Sequence, residues 1–155
     1  MQKIIICIIV ICSAVSGQSL GDLRTDKTDT LYIRAEVDIQ SETFTGLKPQ
    51  DILDAVTESV KPLDMVIIPL SLSDTSPEEF LSFRIYIVNN YYTAIGEYNR
   101  KVLYRARTEF YEMPAPTWRR MIGGGSGGDK KYVLDVAKEI AGSFSRQFKE
   151  QNNIK

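Results

Sequence analysis

The sequence predicts an α+β fold: a mainly antiparallel β-sheet in strand–helix–strands–helix order, with two helices packed on one face. Three observations point there. Residues 31–39 alternate apolar and polar without a break. Residues 130–148 carry an apolar stripe at helical spacing. Between them, long stretches alternate in β-branched and aromatic residues. The strand and the last helix each leave one apolar face uncovered, and they can cover each other.

The chain opens with an export signal. Lys3 precedes an apolar run from Ile4 to Ile11, broken only by Cys7, and the small residues Ser13, Ala14, Ser16 and Gly17 follow. A charged start, a short apolar stretch and a small-residue site together read as a signal peptide over residues 1–17, cut to leave Gln18 first. The run is too short to span a bilayer, which takes about 20 residues. An interfacial anchor is the alternative. Lipidation at Cys12 is disfavoured because Ile11 stands where a small residue belongs. The expected localisation is therefore the periplasm, the cell envelope or the exterior, with no membrane span in the mature chain.

Residues 18–29 are polar and small and read as a flexible leader; residues 30–150 read as one domain. In the first strand Leu31, Ile33, Ala35, Val37 and Ile39 share one face, and Tyr32, Arg34, Glu36 and Asp38 the other. Pro49 suits a first helical turn, Asp51 suits its positive end, and Ile52, Leu53, Val56 and Val60 lie at helical spacing, so a helix spans 49–60. Lys61-Pro62 stops it. The apolar run 65–72 is a strand whose Pro69 belongs at an edge or a bulge.

The middle admits two readings. Ser76-Pro77-Glu78-Glu79 has the form of a helix start, and Phe80 to Phe110 can be stepped through by threes and fours. Yet Leu81, Phe83, Ile85 and Ile87 alternate with Ser82, Arg84 and Tyr86, and Val102 to Tyr111 alternates again. The wealth of β-formers favours a β-meander, turning at Asn89-Asn90. Met113-Pro114-Ala115-Pro116 closes that region. The glycines of 123–128 form a flexible linker before the last helix. They precede a helix as a phosphate loop does, but Asp129-Lys130 stands where Lys-Ser/Thr is required.

Composition narrows the chemistry. The chain of 155 residues has 19 basic and 20 acidic side chains, no histidine, and cysteines only at positions 7 and 12. Without histidine there is no Ser-His-Asp or Cys-His catalysis and no histidine-held metal. No cofactor and no metal site is expected. A nucleic-acid partner is not expected either, since that surface would be basic. The carboxylates Glu36, Asp38 and Glu109 could serve a glycoside-cleaving enzyme that uses carboxylates alone; cross-strand charge pairing with neighbouring arginines explains them more simply. Tyr32, Arg34, Arg84, Tyr86, Arg105, Arg107 and Tyr111 fall on the outward rows of the proposed sheet, and Tyr with Arg is the composition of contact surfaces. Tyr91, Tyr92, Tyr98 and Trp118 are further aromatic candidates near turns. The reading is a non-catalytic exported protein that binds a protein or an envelope polymer. The alternatives are a small-ligand or carbohydrate carrier and the carboxylate enzyme.

Tyr98-Asn99-Arg100 through Tyr104-Arg105-Ala106 resembles a helical stretch of TolC-like outer-membrane efflux proteins. The chain is too short for that fold, and no property is carried over. The predicted element order is similar to that of envelope accessory proteins, including lipopolysaccharide-assembly lipoproteins, as a matter of fold alone.

Overall fold

The structure, a computed structural model, describes residues 15–19, 22–26, 29–44, 46–106 and 109–154. The apolar run of the expected signal lies outside them, as do Cys7, Cys12 and Arg107. The fold is α+β, with strands β1 (Val15–Ser19), β2 (Thr30–Gln40), β3 (Val66–Leu70), β4 (Glu79–Val88), β5 (Tyr91–Ala106) and β6 (Glu109–Gly125), and helices α1 (Pro49–Val60) and α2 (Lys130–Asn152). The sheet runs β1-β6-β5-β4-β2-β3. It is mixed. β4, β5, β6 and β1 pair antiparallel in turn, while β2 lies parallel to both β3 and β4. The parallel half follows from connectivity, because α1 carries the chain from the end of β2 back to the starting edge.

Alternation in β2 buries Leu31, Ile33 and Ala35. The facing rows are Leu81, Phe83, Ile85 and Ile87 of β4, Tyr92, Ala94 and Tyr98 of β5, and Trp118 and Ile122 of β6. Both helices cover this one face. From α1 come Ile52, Ala55, Val56 and Val60. From α2 come Val133, Val136, Ala137, Ile140, Ala141, Phe144 and Phe148. The rings of Tyr98, Trp118, Phe144 and Phe148 form an aromatic cluster in which touching rings have centroids 5.3–5.9 Å apart. Tyr98 and Trp118 can be buried whole because their polar atoms are served. Tyr98 donates to Glu79 at 2.8 Å, and Trp118 Nε1 donates to Gln147 at 2.9 Å. Burial, reinforced by Glu79, pushes the Tyr98 hydroxyl well above the usual tyrosine range.

Helix ends obey local rules. Asp51 accepts from the Lys48 amide at 2.7 Å and pairs with Lys130 at 2.9 Å, tying the start of α1 to that of α2. Asp129 caps α2 by accepting from the Lys131 amide at 2.8 Å. A single 3-10 turn, Lys61–Leu63, ends α1 where Pro62 forbids its continuation.

The expected β-meander forms from Phe80 to Phe110 as β4, β5 and the start of β6, with 98–106 inside β5. Several other expectations differ from the structure. Ser76-Pro77-Glu78-Glu79 leads into β4, which begins at Glu79; its helix-capping form is overridden by the β-rich sequence that follows. β6 runs through Pro114 and Pro116 instead of ending there, because a proline is tolerated where its nitrogen faces an unpaired edge. Gly123, Gly124 and Gly125 are not linker residues; they pair with Thr93, Tyr92 and Tyr91. A Cβ on Gly124 would sit 3.4 Å from the Tyr92 hydroxyl, so glycine lets the strand pass over that ring. The turn itself is short: Gly127 and Gly128 take positive φ, and the Ser126 amide donates to Asn90 O at 2.7 Å. In the expected leader Leu23 is fully buried, its amide donates to Gln151 Oε1 at 2.7 Å, and its carbonyl accepts from Asn152 at 2.8 Å. The buried Leu23 side chain and these hydrogen bonds to the end of α2 dock it. The expected processing point after Gly17 falls within β1; Gln18 and Ser19 lie opposite Arg120 and Arg119.

Candidate functional site

The helices leave the other face of the sheet open. On it β2 presents Tyr32, Arg34, Glu36 and Asp38, and β4 presents Phe80, Ser82, Arg84 and Tyr86. Pairing sets Glu36 opposite Arg84, Asp38 opposite Tyr86 and Arg34 opposite Ser82. β5 continues the row with Glu97 and β6 with Arg119.

Glu97 organises this face. Its side chain is 5% exposed. It pairs with Arg84 on one side, and Arg119 Nε donates to its other oxygen at 2.6 Å. With Glu36 the row reads minus, plus, minus, plus across four strands. Such a ladder is electrically balanced, so it holds no standing attraction for a polyanion. It does fix Arg84, whose guanidinium has little rotamer freedom left to lose on binding. Arg34 is fixed differently. Its guanidinium lies 5.2 Å from the Phe80 ring centroid and donates to Asp74 O at 3.1 Å. Arg84 and Tyr86, with Glu36, Asp38, Leu72 and Pro49, line a groove of about 270 Å³.

Four of the predicted contact residues, Tyr32, Arg34, Arg84 and Tyr86, thus share one face. Arg107 lies outside the described residues, and the other two do not join them. Arg105 and Tyr111 lie on the outer part of the β5–β6 hairpin, which continues past the end of β4. They also sit on opposite sides of it. Arg105 is the register partner of Phe110, and Tyr111 that of Tyr104. Reading 102–111 as one strand put them in one row. The chain reverses between Ala106 and Glu109, and that reversal exchanges the faces. Tyr98, Trp118 and Tyr92 are core residues, not surface ones. Of the carboxylates, Glu36 and Asp38 are neighbours on β2, but Glu109 is at the far end of the hairpin, bonded to the Tyr111 hydroxyl. Glu97 was missed because nothing in its local sequence marks burial; only the placement of two arginines around it does.

Among the described residues no group of three Asp, Glu, His or Cys side chains is placed to hold a metal. Among them, too, no helix is long and apolar enough to cross a membrane. Arg119 and Arg120, which flank the glycine turn in sequence, are directed to Glu97 and Glu139, not into that turn.

No family model matches the chain, and no curated relative matches it. Among solved structures it is similar to the PelC dodecamer from Paraburkholderia phytofirmans, with 12% identity and a TM-score of 0.47, over 86% of this chain and 96% of that one. A point variant of the same dodecamer gives 13% identity and a TM-score of 0.43, over 86% and 95% of the two chains. Similarity of that degree leaves the function to be argued from this chain's own residues.

Proposed function

We propose that this is a non-catalytic exported protein that binds a macromolecular partner through the uncovered face of its sheet. Tyr32, Arg34, Arg84 and Tyr86 form the contact. The observation that carries the reading is the seating of Arg84 on buried Glu97 beside half-exposed Tyr86. Arginine and tyrosine dominate binding energy when they are held in place before contact. A protein surface fits the balanced charge ladder better than a polyanion does. Export rests on the signal-like residues 1–17 alone.

Affinity capture from the native compartment tests this, with wild type compared against Arg84→Ala/Tyr86→Ala. The variant should lose most of the partner while keeping its circular dichroism spectrum. Equal recovery by both folded forms rules the sheet face out as the binding surface.

A further inference from the structure

β1 lies where the sequence places the end of an export signal and the start of a leader. Its five residues pair antiparallel with β6, Val15 opposite Gly123 and Ser19 opposite Arg119. They form the edge of the sheet on that side. Ser16 is the register partner of Ile122, and Gln18 that of Arg120. Ile122 is a core residue, only 5% exposed. The stretch of β6 that β1 borders therefore carries the last buried row of the sheet.

A cut after Gly17 is at odds with this arrangement. It would remove Val15, Ser16 and Gly17 and leave Gln18 and Ser19, too short a piece to hold as a strand. The backbone of β6 over 119–123 would become an open edge, a template for other chains. The new α-ammonium on Gln18 would stand beside Arg119 and Arg120, like charge against like, although each arginine also has its own acid, Glu97 and Glu139. Directly before Val15 stands a second small-residue site. Cys12-Ser13-Ala14 sets small side chains at the last and third-last positions, and it follows the apolar run 4–11 at once. After a cut there the α-ammonium falls on Val15, opposite Gly123, which has no side chain to compete with it.

We propose that the exported chain is processed between Ala14 and Val15, so that β1 stays whole as the edge strand of the mature sheet. Water adds across that peptide bond under an export peptidase, leaving a carboxylate on Ala14 and an ammonium on Val15. Cys7 and Cys12 leave with the signal. The proposal rests on the export reading of residues 1–17 and involves no residue of the proposed partner face.

Mass spectrometry of the N-terminus tests this, on the full chain expressed with its own leader in a host that exports it. Val15 should be the first residue of most molecules. A chain that is exported but begins anywhere else, Gln18 included, overturns the proposal and leaves export standing. A chain found only in the cytoplasm with Met1 in place overturns both. Ala14→Tyr puts a bulky ring where a small residue is required and should lower the yield of processed chain roughly tenfold. Gly17→Tyr blocks the rival point in the same way and should leave the N-terminus at Val15. Processing that ignores Ala14→Tyr, or that fails in Gly17→Tyr, overturns the proposal. Hydrogen exchange on the processed protein reads the strand itself. The amides of 119–123 that point to β1 should be protected, and exchange as fast as at an open edge would show that β1 is not part of the mature sheet and overturn the proposal.

Discussion

Glu97 and Arg119 meet across the β5–β6 pair, Arg119 Nε donating to Glu97 Oε1 at 2.6 Å, with Arg84 bound to the other carboxylate oxygen. Two partly exposed cations thus converge on one buried anion. Replacing Glu97 with Ala removes the carboxylate on which both guanidiniums converge. Their partial exposure lets water soften the loss, so the expected destabilisation is about 2 kcal/mol, below the range for fully buried pairs. Urea unfolding near neutral pH measures it, and a midpoint equal to wild type would show that the ladder adds nothing. Glu97→Gln should also lower partner capture, although Glu97 itself is covered, because it frees Arg84 to wander.

Gly96 lies on the helix-facing side of β5, where an added Cβ would run into Ile140 Cγ2 and touch the Phe83 ring at 3.4 Å. All three positions belong to the packed layer between sheet and α2. Gly96→Ala should cost about 1–3 kcal/mol through overpacking. Combined with Ile140→Ala, which removes the Cγ2 that the new methyl meets, it should cost less than the two single losses added together, and a double-mutant cycle reads the coupling. Strictly additive effects would mean that the strand and helix do not press together here.

Leu23 docks the segment before β2 onto the end of α2. Leu23→Ala should destabilise the fold by about 2–4 kcal/mol, as for other buried leucines. Asn152→Ala should cost less, since it removes hydrogen bonds made at the half-buried rim of the same joint. Hydrogen exchange would show the opening: amides of Leu23 and Thr25 should lose protection in Asn152→Ala while those of β4 keep theirs.

Acid should unfold the protein, whereas mildly acidic to neutral conditions should not. The Lys130 ammonium, then the Lys48 amide, hold the Asp51 carboxyl below its ordinary value of 3.8. Lys138 does the same for Glu58, and the amide and hydroxyl of Ser71 for Asp74. A folded pKa below the unfolded one contributes stability that is complete above the unfolded value and is lost as pH falls through the folded one. The urea midpoint should therefore hold steady from about pH 8 down to about pH 5, since no histidine titrates there, and fall below about pH 4. Lys130→Met should shrink the acid-dependent loss without abolishing it, because Lys48 still holds Asp51. A midpoint that moves between pH 6 and 8 would contradict this account.

Periodicity decided what could be read in advance. Leu31, Ile33 and Ala35 announce their face of β2, and Val133 through Phe148 announce the stripe of α2, because each pattern repeats the geometry of its own element. Pro49 and Lys61-Pro62 marked the ends of α1, since proline acts on the local backbone. Asn89-Asn90 marked the β4–β5 turn, with Asn89 at φ 54°. Punctuation misled where tertiary pairing outweighed it. Pro114 and Pro116 are accommodated at a strand edge, and Gly123–Gly125 are held by β5, neither of which a local rule can foresee.

The sequence by itself determined β2, α1, β4 and α2, their order and the face each would bury, because these follow from side-chain spacing along a single segment. Tertiary structure alone decided which strands lie side by side. That choice made the sheet mixed, buried Glu97 between Arg84 and Arg119, and moved Trp118 and Tyr98 from candidate surface into core. It also parted Arg105 from Tyr111, because a hairpin reversal exchanges the two faces of a strand. The physical reason is the same in each case: burial and charge pairing depend on neighbours distant in sequence, and strand register, not spacing, selects those neighbours.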